Sequence, residues 1–363
     1  MRASSSAGRN HAARLKFRST VAAVVAILAF AARSDAQVFE TVGTRALGMG
    51  GAFVAVADDV TATYWNPSGL AVGGLVDAAV QRSSSASPSN PGGTAAAAGG
   101  WRASTTFVGF AIPSLGISYL RTRGGRVSSP TAGSIDVRQQ DRPGVASASV
   151  AAVDTFGVTL LQSLLPNLVV GTTLKLARGS SLTAEVPGTV SVSTALDEAA
   201  QLPASARVRF DVDAGLMATA GPLRFGLVGR NLRQPDFGPD DAAGAGRVAR
   251  QVRAGIALTP GFNPGRTAAA QPSFTIAFDA DLTRSTLPVG DERHVAAGVE
   301  RWLAGRHVAV RAGVRASTVG DRRPVGTAGA SVALRPGILV EGQYARGRQA
   351  VGQQWSVGGR VTF

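Results

Sequence analysis

The sequence has no cysteine and is poor in aromatic and charged residues. Of its 363 residues, 6% are aromatic and 17% are charged, and this charged share is below the roughly 25% that is usual in soluble domains. Without cysteine, a disulfide framework, a thiolate metal site and a lipid-modified cysteine are all excluded. The composition therefore suits an exported protein that folds without oxidation.

Recognised catalytic motifs are also missing. The patterns G-x-S-x-G, H-E-x-x-H and G-x-x-x-x-G-K-[ST] do not occur in the chain. His294 and His307 are thirteen positions apart at predicted strand starts, which is typical of turn or rim residues. We expect neither an enzyme nor a bound cofactor or metal.

Four aspartates on two predicted strands could hold Ca²⁺ only if those strands were neighbours. They are Asp211, Asp213, Asp279 and Asp281. The predicted strand order separates the two pairs, so we interpret them as counter-charges to arginines inside a lumen. The candidate lumen charges are Arg230, Asp279 and Arg311, with Arg224 and Arg253 as further partners.

Residues 1–36 have the pattern of a secretory signal. A basic start is followed by an apolar run of 12 residues at 21–32, and Ser34-Asp35-Ala36 supplies small residues for a cleavage site. Twelve residues are too few to cross a bilayer core of about 30 Å as a helix. We predict cleavage before Gln37, which leaves an N-terminal segment at 37–72 and a main body at 73–363.

The mature chain remains basic after this removal. The signal takes six of the 37 basic residues and one of the 23 acidic ones, so 31 and 22 remain and the net charge is +9. A basic chain can bind nucleic acid, but these arginines occur singly along the chain, without a basic helix. We expect no nucleic-acid partner and favour a basic lumen or a rim facing phosphate-bearing lipids.

From Leu75 onward the hydrophobic period is two. Phe274, Ile276 and Phe278 alternate with small or acidic residues, and 208–216, 308–315 and 354–363 follow the same pattern. A soluble half-buried sheet alternates in the same way. Many strands of about ten residues without intervening helices favour a transmembrane β-barrel.

We therefore predict an all-β fold, an antiparallel transmembrane β-barrel of about 14 strands. The predicted spans are 75–81, 102–112, 115–123, 147–161, 168–177, 206–219, 223–232, 248–259, 273–283, 293–303, 306–318, 325–334, 338–346 and 353–363. Tight turns at 113–114, 166–167, 221–222, 304–305 and 335–336 alternate with longer loops such as 82–100, 124–146 and 178–205, as in outer-membrane barrels. The connection 260–272 breaks this alternation. An even strand count places both chain ends on the periplasmic side.

The last strand ends on an aromatic residue. Phe363 follows Trp355, Val357 and Val361 in phase, which resembles the signal that hands bacterial barrels to their insertion machinery. Near predicted strand ends, where aromatic side chains favour the membrane interface, lie Trp101, Tyr119, Trp302, Tyr344 and Trp355. We expect a bacterial outer-membrane location with outer-membrane lipids as partners.

The least generic stretch is 43–71. Its glycines permit close backbone approach, Asp58 and Asp59 offer a cap for a short helix at 60–65, and Asn66-Pro67 ends that helix. Because Trp65 is large and apolar, a simple surface turn is a poor interpretation.

This order of features resembles the N-terminal segment of the FadL/TodX-like outer-membrane transport proteins, and the PorV/PorQ branch among them. In that family the segment is a hatch inside a fourteen-stranded barrel and carries an Asn-Pro-Ala motif. The resemblance implies that residues 37–72 form a hatch in the lumen. The hatch motif would consist of Asp58, Asp59, Trp65, Asn66, Pro67 and Ser68, where Ser68 replaces an alanine of similar size.

Two functions remain open. The first is a FadL-like channel for passive uptake of small hydrophobic compounds. The second is a PorV-like membrane scaffold or docking protein for the components of a secretion system. A surface hydrolase barrel is a third class, and the missing Ser/His site counts against it.

Overall fold

The computed structural model describes residues 41–87, 99–128, 145–238, 246–262, 273–287, 290–320, 323–347 and 352–363. The predicted signal, 1–36, lies outside these residues. Among the described residues, two short helices precede the strands, α1 (Thr44–Gly48) and α2 (Ala62–Trp65), with a 3₁₀ helix at Pro67–Val72. Later in the chain come α3 (Val192–Gln201) and a 3₁₀ turn at Ala304–Arg306. None of the described helices is long and apolar enough to cross a membrane.

The described part of the chain contains sixteen strands. They are β1 (Asp77–Ala86), β2 (Gly100–Ile112), β3 (Leu115–Ser128), β4 (Val145–Leu165), β5 (Leu168–Pro187), β6 (Arg207–Ala220), β7 (Leu223–Arg230), β8 (Gln251–Leu258), β9 (Phe274–Asp281), β10 (Ser285–Leu287), β11 (Gly290–Glu292), β12 (His294–Leu303), β13 (Val308–Ser317), β14 (Val325–Arg335), β15 (Ile338–Gly347) and β16 (Gln353–Thr362).

Fourteen of these strands close into one antiparallel barrel. Neighbours in the barrel follow chain order, with β9 beside β12 and β1 beside β16. At the closure Asp77 lies opposite Thr362, and the backbones of Val76 and Phe363 exchange hydrogen bonds of 3.2 and 2.9 Å. The predicted fold is confirmed, and both ends of the barrel sequence meet at the end that carries the tight turns.

The period-two pattern gives the barrel an apolar outward face and a polar inward face. Phe278 is 55% exposed, whereas Asp279 beside it is 4% exposed. The same phase separates Phe210 from Asp211 on β6. The predicted inward and outward positions are therefore confirmed on these strands.

Three of the five predicted interface aromatics lie on the outward face. Tyr119, Tyr344 and Trp355 are exposed there. Trp302 was the wrong choice, because it faces inward and is only 7% exposed, with the guanidinium of Arg306 4.5 Å above its ring. Trp101 lies on the inward-facing phase of β2 as well.

Several strands extend further from the tight turns than the sequence predicts. β4 and β5 contain 21 and 20 residues, so parts of the predicted loops 124–146 and 178–205 are strand. β1 likewise continues to Ala86 inside the predicted loop 82–100. These extensions are rich in Ser, Ala and Gly, so the hydrophobic alternation that identifies a strand fades there.

Helix α3 is a second difference, because no helix is predicted between strands. The hydroxyl of Ser191 caps it by accepting a hydrogen bond from the backbone N–H of Thr194 at 3.2 Å. Its apolar side packs on strand residues that, like Tyr119, lie on the outward face of the barrel. The cluster comprises Ala195, Leu196 and Ala199 with Val127, Ala146, Ala148 and Val186. The helix thus covers the outside of the strand extensions.

Two further predictions concern connections. β10 and β11 form a separate two-stranded sheet where the sequence predicts only a loop. Most of the exceptional connection 260–272 falls on 263–272, which lies outside the described residues.

Candidate functional site

The described part of the N-terminal segment, 41–72, lies inside the barrel, and we call it the hatch segment. Its residues are almost all buried. Its hydrogen bonds reach inward-facing groups on strands from all sides of the barrel. The pairs are Thr44 with Gln81 of β1 (3.0 Å) and Ser356 of β16 (2.7 Å), Asn66 with Leu216 of β6 (3.2 Å), Thr63 with Thr173 of β5 (3.3 Å), and Gly48 with Thr327 of β14 (2.9 Å). A segment that contacts opposite walls must cross the lumen.

Glycines on the wall create the space for this segment. A Cβ atom at Gly171 of β5 or Gly215 of β6 would overlap atoms of Asn66-Pro67-Ser68, and one at Gly313 of β13 would overlap the backbone at Met49. These glycines lie at inward-facing positions of their strands. They were not among the sequence-predicted site residues, although glycine at an inward position of an alternating strand is a readable signal of close backbone approach.

Asn66 organises the turn that carries the hatch motif. Its amide nitrogen donates to the carbonyls of Val54 (2.9 Å) and Leu216 (3.2 Å), and its Oδ1 accepts from the hydroxyl (2.6 Å) and backbone N–H (3.3 Å) of Ser68. Pro67 is the first residue of the 3₁₀ helix, where a missing N–H costs nothing. The serine in place of alanine therefore adds a hydrogen bond to the same turn.

Trp65 lies at the centre of the hatch segment and is completely buried. Its indole N–H donates to the carbonyl of Val42 at 2.9 Å. Phe53 and Tyr64 pack against the ring edge to face, with centroids at 5.9 and 6.0 Å. These contacts join both ends of the hatch segment into one apolar core.

Asp58 and Asp59 converge on one arginine, a contact that the sequence did not predict. Both contact Nη1 of Arg45, Asp59 at 3.2 Å. Only part of the predicted capping role is present: Asp59 accepts from the backbone N–H of Thr61 at 2.9 Å, but α2 begins at Ala62 and has no side-chain cap.

Arg45 connects these acids to the barrel wall. It donates two hydrogen bonds of 2.8 Å to Glu300 of β12, which also accepts from Arg311 of β13 at 2.6 Å. Arg360 of β16 binds Asp59 at 3.0 Å, and Arg224 of β7 binds Asp58 at 3.3 Å. The resulting ionic cluster comprises four arginines, Arg45, Arg224, Arg311 and Arg360, and four carboxylates, Asp58, Asp59, Glu300 and Glu341.

Neighbouring opposite charges favour the ionised forms of Asp58 and Arg45. Burial alone would raise the pKa of Asp58, but Arg45 and Arg224 outweigh it and hold that pKa below its ordinary value. For Arg45, burial acts to lower the pKa, and the carboxylates of Asp58, Glu300 and Asp59 more than reverse this. Neither group has reason to lose its charge in the folded state.

The candidate lumen charges do lie inside the barrel, and two of the predicted pairs of aspartate and arginine form there, Asp213 with Arg230 and Asp281 with Arg253. Arg311 pairs with Glu300, and Asp279 accepts from the backbone N–H groups of Phe53 and Val54, each at 2.8 Å. Arg230 lies over the ring of Tyr64, 3.5 Å from its centroid, and 3.7 Å from Asp213.

The remaining aspartates form two separate groups, on β6 and β9, which are not adjacent. Lys175, which the sequence analysis did not select, binds Asp211 and Asp213 at 2.6 Å each, and Arg253 binds Asp281 at 2.6 Å. Within the described residues, no group of three or more His, Asp or Glu side chains could hold a metal ion.

A cavity of about 350 Å³ opens beside the hatch segment at the end with the tight turns. Ser68, Ala71 and Val72 of the hatch segment form one side of it. Val169, Met217 and Phe262 contribute apolar atoms from the wall and its connections. Its lining can accept a small, mostly apolar molecule, and Trp65 is not part of that lining.

The fold of the chain resembles those of several solved structures. The CymD monoaromatic hydrocarbon channel matches with a TM-score of 0.57 and 15% identity, over 89% of this chain and 98% of that one. The toluene transporter TbuX of Ralstonia pickettii matches with a TM-score of 0.55 and 12% identity, over 90% and 99%.

A FadL homologue of Pseudomonas aeruginosa matches with a TM-score of 0.54 and 12% identity, over 92% of this chain and 99% of that one. No protein-family model and no curated protein sequence matches the chain. At these identities the likeness is one of fold, so the chain has the FadL/TodX-like fold that its sequence resembles. The PorV/PorQ branch stays a prediction.

Proposed function

We propose that the protein is an outer-membrane channel through which small hydrophobic compounds enter by diffusion. The observation that carries this proposal is the hatch segment, an apolar plug whose turn borders a cavity at the end with the tight turns. Channels with the same fold support this proposal, because one of them is a monoaromatic hydrocarbon channel and another is a toluene transporter.

The proposed location follows from the same features. Removal of residues 1–36, an apolar outward face and a terminal Phe363 would suit insertion into the outer membrane by the barrel-insertion machinery. The mature protein should begin at Gln37, fractionate with the outer membrane and migrate as a heat-modifiable band on gels, since a closed barrel has no free edge from which to unzip. Recovery from the soluble periplasm would contradict this location.

Uptake by cells that lack other hydrocarbon channels tests the function. Cells producing the protein should accumulate radiolabelled toluene or a medium-chain fatty acid faster than cells with the empty vector. Met217→Arg would place a charge in the cavity and should reduce uptake, whereas Gly342→Ala, on the outward face with nothing near it, should not. Equal uptake with and without the protein would overturn the proposal.

The second candidate is a PorV-like scaffold or docking partner of secretion components. The buried ionic cluster favours this candidate, because its four arginines and four carboxylates hold the hatch segment in place inside the barrel. A barrel that stays closed suits docking better than passage. Cross-linked secretion components in pull-downs, together with no uptake, would favour this candidate over the channel.

A further inference from the structure

The outward faces of β1 to β5 carry a concentration of arginines. Five exposed arginines lie there: Arg82, Arg102, Arg121, Arg123 and Arg178. Two acids lie among them. Arg121 binds Asp154 at 3.0 Å, and Arg102 binds Asp197 of helix α3 at 2.5 Å. Glu198, next to Asp197 on helix α3, is a further exposed acid, so arginine exceeds acid by two charges on this face.

Strand register brings these residues into one band. Arg82 lies opposite Thr106, which lies opposite Arg121, and Arg121 lies opposite Asp154, which is in turn opposite Arg178. Arg123 and Arg102 lie on the side of this row that is further from the tight turns. We call the five arginines the arginine band.

The arginine band begins where the apolar outward face ends. One outward position nearer the tight turns, the same strands carry a row of exposed apolar or aromatic side chains. This row consists of Val80, Val108, Tyr119, Phe156 and Leu176. Tyr119 is one of the three outward-facing interface aromatics, and such rings mark the boundary between acyl chains and head groups.

In the proposed orientation, with tight turns in the periplasm, this boundary belongs to the outer leaflet. A charge facing the acyl chains at the centre of the membrane would be strongly unfavourable. Arginine avoids this cost by extending its head toward the polar region, where its planar guanidinium can bind a phosphate through two parallel hydrogen bonds. The surplus of positive charge would favour an anionic partner outside the protein.

We propose that the arginine band is a binding site for the phosphate groups of an outer-leaflet phosphoglycolipid. The site lies on the outside of the barrel, so it is separate from the cavity beside the hatch segment. It rests on the proposed outer-membrane location and not on the proposed transport. The bound lipid holds the β1–β5 side of the barrel and helix α3 at a fixed depth in the membrane.

Lipid binding to the purified, delipidated full barrel tests the site. Diphosphoryl lipid A in detergent micelles is titrated into the protein, and bound lipid is counted by native mass spectrometry. The double variant Arg123→Gln/Arg178→Gln should bind about tenfold more weakly, because each basic residue near an anionic lipid surface contributes appreciably to affinity. The matched control, Arg301→Gln/Arg335→Gln, removes two exposed arginines at the tight-turn end and should bind like the parent.

Two comparisons distinguish lipid phosphate from free phosphate as the ligand of the arginine band. Dephosphorylated lipid A should bind weakly to all variants, and inorganic phosphate in large excess should not displace the phosphorylated lipid. Heat-modifiable migration reports that each variant is folded. Should the double variant fail this check, the two single changes are measured instead, each with an expected loss of about threefold.

Several results would overturn the proposal. Equal lipid affinity in the double variant and the matched control would show that the arginine band does not bind the lipid. Displacement by inorganic phosphate would mean a site for free anions. Undiminished lipid binding together with loss of a co-purified protein would make this face a protein interface.

Discussion

Single residues show most directly which face of the barrel they occupy. Phe278 and Asp279 are neighbours on β9, yet one is exposed outside and the other is buried against the hatch segment, where it accepts two backbone hydrogen bonds. The period of two was enough to predict this difference, because it depends only on strand geometry. The identity of the donors to Asp279 was not predictable, since they lie some 225 positions away in the sequence.

The phase of β9 makes Phe278→Arg a strongly destabilising change in the proposed membrane location. We expect a loss of about 2–4 kcal/mol, the cost of a charge on the lipid-facing side of a barrel. Asp279→Asn, one position along, should be mild, because its remaining oxygen can still accept from Phe53 and Val54. Urea titration of both variants in lipid vesicles measures the two effects. Equal destabilisation would mean that the two faces are assigned the wrong way round.

Glu300 is the residue on which the ionic cluster depends. It binds Arg45 of the hatch segment and Arg311 of the wall, so Glu300→Gln leaves two buried guanidinium groups short of a counter-charge. Breaking a buried pair in this way costs about 3–5 kcal/mol. We expect the hatch segment to loosen and the barrel to conduct ions in planar bilayers.

The exposed pair between Arg102 and Asp197 supplies the control for this change. Its side chains are 47% and 59% exposed, and exposed ion pairs contribute at most about 1 kcal/mol. Asp197→Asn should therefore leave both conductance and stability close to those of the parent. Similar behaviour of the two variants would show that the ionic cluster does not hold the hatch segment.

At the scale of elements, strands were predictable and their ends were not. The spans of β2, β13 and β15 agree closely with the predicted ones because apolar residues recur at every second position over part of each strand. In β5 the alternation ends near Arg178, and the strand continues through small polar residues to Pro187. Helix α3 had a readable signal in Ser191 and the spacing of Ala195 and Ala199, but a ten-residue helix in a long loop is easily missed by pattern alone.

The fit between the hatch segment and the wall is a property of paired elements. Gly313 on β13 faces Met49 so closely that a side chain would overlap the hatch backbone, whereas Gly342 on β15 has no neighbour. Gly313→Ala should therefore displace the hatch segment and raise conductance, while Gly342→Ala should not. If both variants conduct like the parent, the hatch segment adjusts to the added methyl group and the contact does not determine its position.

At the scale of the whole molecule, the sequence predicted the barrel, its strand number and a segment inside it. A fourteen-stranded barrel leaves an interior that its own side chains cannot fill, so an apolar segment before the first strand has one obvious place to go. The particular contacts of that segment could not be predicted, because Arg45 meets Glu300 and Asp59 meets Arg360 only after the barrel has closed. Long-range pairs of this kind leave no local pattern.

Deletion of residues 37–72 tests whether this segment closes the lumen. The fourteen strands pair with one another without it, so the shortened barrel should still insert and keep its heat-modifiable migration. Its lumen would then be open and lined by charges such as Glu300 and Arg360, which would have lost their partners on the hatch segment, and it should conduct ions freely in planar bilayers. Asn66→Ala removes the four hydrogen bonds that the Asn66 side chain makes but keeps the other contacts of the hatch segment. It should therefore leak less than the deletion.

Conductance should therefore increase from the parent to Asn66→Ala and from Asn66→Ala to the deletion. The order follows from how much of the contact with the wall each change removes. Conductance of the folded, shortened barrel equal to that of the parent would mean that other parts of the chain close the lumen. The hatch segment would then have no role as a gate, and the channel proposal would lose the observation on which it depends.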